Sequence, residues 1–191
     1  LSTFQNLSFP KSITMLMLLS ELIKMGRVKR ALFLTPVPET IEDYIKTIHQ
    51  YLDFDLIKNS RRIDKDGLDK EIDINFTGII FGSIQFLKMD KSDKKSDWLK
   101  LYNPDAIVLD ESQHGGSTKT TNKKIFKKIM KSSTSEQLIF YLSGTFNKTK
   151  MFYGIKNTEI YPWTFIDESY MKKIDDPTIR SIMEEKHGPL I

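Results

Sequence analysis

Four short runs rich in β-branched and aromatic residues alternate with segments of helical spacing, and this alternation limits the fold more than any other feature of the chain. The runs are "RALFLTP" (Arg30 to Pro36), "FTGIIFGSIQ" (Phe76 to Gln85), "DAIVLDE" (Asp105 to Glu111) and "QLIFYLSGT" (Gln137 to Thr145). Each is apolar without a polar beat and ends in turn residues, small hydroxyls or carboxylates. Such runs read as strands buried on both faces, the signature of a parallel sheet. Between them, "SITMLMLLSELIKMG" (Ser12 to Gly26) has helical apolar intervals, with Gly26 as a stop. "PETIEDYIKTIHQYLDF" (Pro38 to Phe54) starts with proline and acids and places Ile41, Tyr44, Ile45, Ile48 and Leu52 on one face. The order helix, strand, helix, strand, strand, helix, strand predicts an α/β layered domain. Its sheet is mainly parallel, with helices on both faces and right-handed crossovers.

Bulk properties agree with one such domain. The chain has 191 residues, 39% hydrophobic and 28% charged, enough for a real core. The longest apolar run, Ile13 to Leu19, is too short to span a bilayer, and no membrane partner is expected. With no cysteine, disulfides and thiolate metal sites are excluded, which fits a reducing cytoplasm. A net charge of +4 is compatible with nucleic acid and equally with a solvated basic surface. The chain starts without methionine and is expected to be a piece of a longer protein. The expected division is a domain over 1–150 and an extension over 151–191, where "EIYPWTFIDESY" (Glu159 to Tyr170) reads as an extended piece. "KNSRRIDKDGLDKEID" (Lys58 to Asp73) and "KMDKSDKKSDWLK" (Lys88 to Lys100) read as surface, the latter as an exposed loop leading into a short helix.

In parallel α/β sheets ligands sit at the carboxyl ends of the strands. There the chain places Thr35 and Pro36, Ser83 and Gln85, Asp110 and Glu111, and Ser143, Gly144 and Thr145. Nucleotide hydrolysis needs a carboxylate that helps to hold Mg²⁺ and a group that activates or orients water. A strand ending Asp-Glu supplies both, because successive side chains leave it in different directions. Lys11 and Ser12 open a strongly helical segment. A lysine and a hydroxyl at a helix N-terminus can serve the β and γ phosphates and Mg²⁺. Each signal alone has an ordinary structural alternative: an acidic strand end, a helix start at Pro10, a strand-to-loop turn at Leu142 to Thr145.

Their order is more informative. Lys-Ser before a helix, then "LFLTP", "GSIQFL", "IVLDESQH" and "YLSGT" resembles the first motor domain of superfamily 2 DEAD/DEAH-like helicases and translocases. Within that group the chain is most similar to the type III restriction subunit and its phage or giant-virus relatives. The resemblance implies a RecA-like P-loop NTPase fold, ATP and Mg²⁺ as cofactors, DNA or RNA as partner, and a second RecA-like domain in the full-length protein. It implies that Lys11 and Ser12 bind phosphate and metal, that Asp110 holds Mg²⁺ and that Glu111 activates water. Thr35, Pro36, Ser83 and Gln85 would contact the nucleic-acid backbone. Ser143, Gly144 and Thr145 would couple hydrolysis to movement. A bacterial, phage-infected or virus-infected cytoplasm would be the setting.

The departures from that pattern are specific. Pro10 stands where the glycine before the lysine belongs, Gln5 where the leading glycine would be, and proline has no N–H to offer a phosphate. Gln113 occupies the place of the acidic box histidine, with His114 following, and its amide can still donate and accept hydrogen bonds. His114 lacks a nearby histidine or cysteine and is a poor metal ligand. The alternative reading is a nucleotide-dead module, derived from such a motor and kept to bind nucleic acid or a partner. The basic run Lys123, Lys124, Lys127, Lys128 and Lys131 reads first as a solvated helix face, and Trp98 and Trp163 as packing or loop anchors.

Overall fold

The computed structural model describes residues 9–50, 52–63, 75–84, 98–99, 101–110, 137–143, 151, 154 and 156–160. The chain divides into two compact units, Leu1–Phe152 and Tyr153–Ile191. In the second, the described residues include a short 3-10 turn, Asn157–Glu159, closed by the Glu159 side chain accepting from the Lys156 N–H at 3.1 Å.

The first unit is built on a five-stranded, all-parallel sheet with flanking helices. The strands are β1 (Arg30–Thr35), β2 (Arg61–Arg62), β3 (Gly78–Ser83), β4 (Ala106–Leu109) and β5 (Leu138–Tyr141). Their spatial order is β2-β3-β1-β4-β5. The chain therefore extends the sheet from β1 to one side with β2 and β3, then to the other with β4 and β5. The four runs expected as strands all form strands, within one or two residues at each end, except that β5 stops at Tyr141, four residues before Thr145.

Period-two alternation sorts the side chains. Ala31 and Phe33, Ile79 and Phe81, Ala106 and Val108 join one buried cluster with Leu16 and Leu19 of α1 (Phe9–Lys24) and Ile41, Tyr44 and Ile48 of α2 (Thr40–Gln50). Leu32, Leu34, Ile80, Ile107 and Leu109 leave the opposite face and are buried as well, as expected for central parallel strands. Each fully buried leucine or isoleucine contributes roughly 1.5–3 kcal/mol relative to exposure. β5 is different: its four residues are exposed or half-buried.

Helix α1 begins three residues earlier than the Ser12 start expected, because Pro10 suits a first turn where no N–H is needed. It ends as expected at Gly26, whose φ of 70° lets its N–H reach Ile23 O at 2.9 Å while the Arg27 N–H reaches Leu22 O at 2.9 Å. Helix α2 starts later and ends earlier than Pro38 to Phe54, and a 3-10 segment over Leu52–Ile57 carries the chain on. The acids Glu42 and Asp43 sit in its first turn and His49 in its last, each on the favourable end of the helix dipole.

One surface expectation needs correction. Arg61 and Arg62 form β2 within the segment read as surface. Both side chains are exposed, so only backbone pairing to β3 makes them a strand, and that leaves no apolar trace. Trp98, within the segment read as an exposed loop leading into a short helix, is the packing anchor expected of it. It is 4% exposed and stacks on Tyr102 with ring centroids 5.0 Å apart, a packing anchor for the helical residues that precede β4.

Candidate functional site

Strand β1 lies between β3 and β4, so the direction in which the chain extends the sheet reverses at β1. In open parallel sheets the crevice outside the carboxyl ends at such a reversal is the ligand site. Register fixes which residues line that edge. Thr35 is paired with Ser83 across β1 and β3, and Leu34 with Leu109 across β1 and β4. The ladder runs one step further, the Asp110 N–H donating to Leu34 O at 2.8 Å. Ser83, Thr35 and Asp110 therefore form a row. By alternation they share the face of Phe81, Phe33 and Val108, the side covered by α1 and α2. Leu142 continues the row beyond β5, its N–H donating to Leu109 O at 2.8 Å, and half-buried Ser143 follows.

Helix α1 brings Ser12 to this edge from its first turn, and Ser12 is 3% exposed. Asp110, 5% exposed, arrives from β4. Between them stands Tyr44 of α2. Its hydroxyl donates to Asp110 Oδ2 at 2.6 Å and lies 3.3 Å from Ser12 Oγ. The Thr40 hydroxyl, one helical turn earlier, faces the same phenol oxygen. The Tyr44 ring is held by Phe33 and Phe81, with centroids 5.2 and 5.7 Å away. Burial pushes the phenol well above its usual range, and the charge and hydrogen bond of Asp110 push it the same way. The phenol is thus a firm donor, and Asp110 is its acceptor in a short hydrogen bond.

The hydroxyl of Thr35 belongs to the turn that follows β1. It accepts from the Val37 N–H at 3.2 Å and lies 3.3 Å from the Thr40 hydroxyl, which donates to Val37 O at 2.7 Å. Thr35 is buried, so beyond β1 the outward side chains are those of half-buried Pro36 and exposed Val37. Ser83 is buried beside Thr35. Lys11 lies in the first turn of α1, its side chain outside the described ones. Gln85, Glu111, Gln113, Gly144 and Thr145 lie outside the described residues, as do His114, Trp163 and the lysine run from Lys123 to Lys131.

Sequence reasoning assigned Tyr44 to the apolar face of its helix and missed its hydroxyl. A phenol on a buried helix face needs a polar partner. A carboxylate at a buried strand end needs a donor. Those two unmet needs were the available signal.

The donor set suits Mg²⁺. No group of three or more His, Asp or Glu side chains gathers among the described residues, so no all-protein cage is built there. One carboxylate and one serine hydroxyl, both oxygen donors, match a cation that keeps water and takes further oxygens from phosphates. Ser12 and Asp110 are the described residues that would hold it.

A five-stranded, all-parallel sheet with flanking helices and a switch point at β1 is the architecture of a RecA-like α/β domain. A family model described as "Type III restriction enzyme, res subunit" matches residues 11–148, and the chain belongs to this family, the N-terminal motor domains of superfamily 2 helicases. The family is one of helicase-type, ATP-dependent motors. No curated protein matches the chain significantly. Among the described residues no helix is long and apolar enough to cross a membrane.

Proposed function

We propose that this chain is the first motor domain of an ATP-dependent helicase or translocase, hydrolysing ATP to move along DNA or, second in preference, RNA. The observation that carries the proposal is the meeting of Ser12 and Asp110 across Tyr44 at the sheet's switch point, within a chain of this family. Mg²⁺, when bound, would supply positive charge that neutralises the charge developing on the phosphates. Lys11 sits in the first turn of α1, where backbone N–H groups and helix dipole favour an anion, and would pair with the phosphates. Asp110 and Ser12 would hold the cation, Glu111 would take the proton of the attacking water, and Gln113 would orient groups around it. Pro36 with Thr35, and Ser83 with Gln85, would track the nucleic-acid backbone; Ser143, Gly144 and Thr145 would couple the two sites. ATP in this class lies between two such domains, so a second RecA-like domain in the full-length protein would supply transition-state arginines. A cytoplasmic setting follows from this role.

Calorimetry of Mg²⁺–ATP binding tests the proposal on the wild-type chain, Glu111→Gln and Lys11→Ala. Binding by the first two and loss in the third is the expected result. No binding by the folded wild type at millimolar nucleotide favours the second reading, a nucleotide-dead module that binds nucleic acid or a partner. Pro10 and the missing loop glycines are the features behind that reading.

A further inference from the structure

Tyr44 touches both residues of the candidate cation site, and neither the sequence pattern nor the proposed reaction gives it a part. Its proton can be followed from atom to atom. The phenol donates the 2.6 Å contact to Asp110 Oδ2. A phenol has one proton, and with that proton on Asp110 it can only accept from Ser12, 3.3 Å away. The order is Ser12 to Tyr44 to Asp110. A serine that serves a cation must turn its lone pairs towards the metal and its proton away. Here the acceptor that draws the proton away is the phenol oxygen. The ring behind it is fixed by Phe33 and Phe81, so the acceptor is preorganised before any ligand arrives.

We infer that Tyr44 is a positioning residue for the divalent cation, aiming the lone pairs of Ser12 at the metal. The inference rests on the nucleotide-site reading of Ser12 and Asp110. Tyr44 acts on the metal arm of binding and not on the phosphate arm, which belongs to the first turn of α1. It is the acceptor for Ser12, so its contribution disappears when the serine hydroxyl is gone.

The test is calorimetry of ATP binding, with Mg²⁺ and with EDTA, on wild type, Tyr44→Phe, Ser12→Ala and the double variant. Phenylalanine keeps the ring packing and removes the bridging oxygen. Tyr44→Phe is expected to weaken Mg²⁺–ATP binding about tenfold, the usual size of an effect exerted through a metal ligand. ATP binding in EDTA should stay unchanged, and the double variant should match Ser12→Ala. A wild type that binds, with Tyr44→Phe altering both arms equally or neither, overturns the positioning role alone. A wild type that binds no Mg²⁺–ATP overturns the reading of the site and the positioning role with it. Should Tyr44→Phe lose cooperative unfolding, ¹⁹F NMR of the wild-type chain labelled with 3-fluorotyrosine decides. The Tyr44 resonance, assigned by exclusion from phenylalanine variants of the other tyrosines, must move when Mg²⁺ joins ATP, and a static resonance refutes the inference.

Discussion

Two aspartates bracket the same strand, and they are used in opposite ways. Asp105 precedes β4 and Asp110 follows it. The Asp105 carboxylate accepts two backbone N–H groups, from Lys29 at 2.8 Å and Arg30 at 2.9 Å, and so fastens the start of β4 to the start of β1. Asp110 accepts from a side chain on a third element, Tyr44 of α2, whose hydroxyl also contacts a serine from a fourth. Backbone partners are part of the ladder and cannot leave without breaking register. Side-chain partners can rearrange around a ligand while the sheet stays whole. The amino end of the sheet is a fastening, and the carboxyl end is where chemistry has room.

The sharpest way to break this contrast is to exchange each carboxylate for alanine. Asp110→Ala is expected to lower Mg²⁺-dependent ATP affinity at least about 100-fold, more than is usual for a group acting from behind a metal ligand. Asp105→Ala should leave that affinity unchanged. Equal effects in calorimetry would erase the distinction.

Stability should follow the reverse order at the amino end. Removing Asp105 deprives two N–H groups of their acceptor, and half-exposure lets water replace part of the loss. The expected cost is about 1 kcal/mol, at the low end of the range for orphaned polar groups, read as a shift in the urea midpoint. No shift would mean that register is held by the ladder alone.

Alkali probes the same end. The Tyr102 hydroxyl is buried and donates to Ala31 O at 2.8 Å, and burial pushes its pKa well above the ordinary value of 10.0. The fold binds the phenolic proton more tightly than the unfolded chain does. The stability tied to it is complete below about pH 10 and is lost as pH climbs further, by at most about 1.4 kcal/mol per pH unit. Urea midpoints measured against pH should fall beyond this point, and fall less steeply in Tyr102→Phe. The smallest effect belongs to Arg61, whose guanidinium lies 5.1 Å from the Phe76 centroid. Arg61→Gln should cost about 0.5 kcal/mol, as an exposed cation–π contact does, and nothing in nucleotide binding.

How far this contrast was readable before folding depends on what carried it. The strands β1, β3, β4 and β5 were legible because two-sided burial leaves unbroken apolar runs. Asp110 was legible as an acid at a strand end, and Ser12 as a hydroxyl at a helix start. β2 was not, because Arg61 and Arg62 enter the sheet by backbone pairing with both side chains in solvent. Trp98 was legible as an anchor despite the charges around it, but its partner Tyr102 was not. Tyr44 was counted correctly as a core residue, but its second use is a matter of distance. The residues that it links are 32 and 66 positions away, and no local pattern spans such intervals.

Those intervals also bear on how the domain comes together. Every ladder in the sheet is parallel, so each strand waits for a crossover before it can pair. Strand β1 can acquire its β4 neighbour only after a loop of more than seventy residues has closed, a slow event in proteins of high contact order. The Ser12–Tyr44–Asp110 contact needs α1, α2 and β4 all docked. It should be among the last contacts made during refolding and among the first lost when α2 opens locally, which makes Tyr44 a natural reporter of the completed native state.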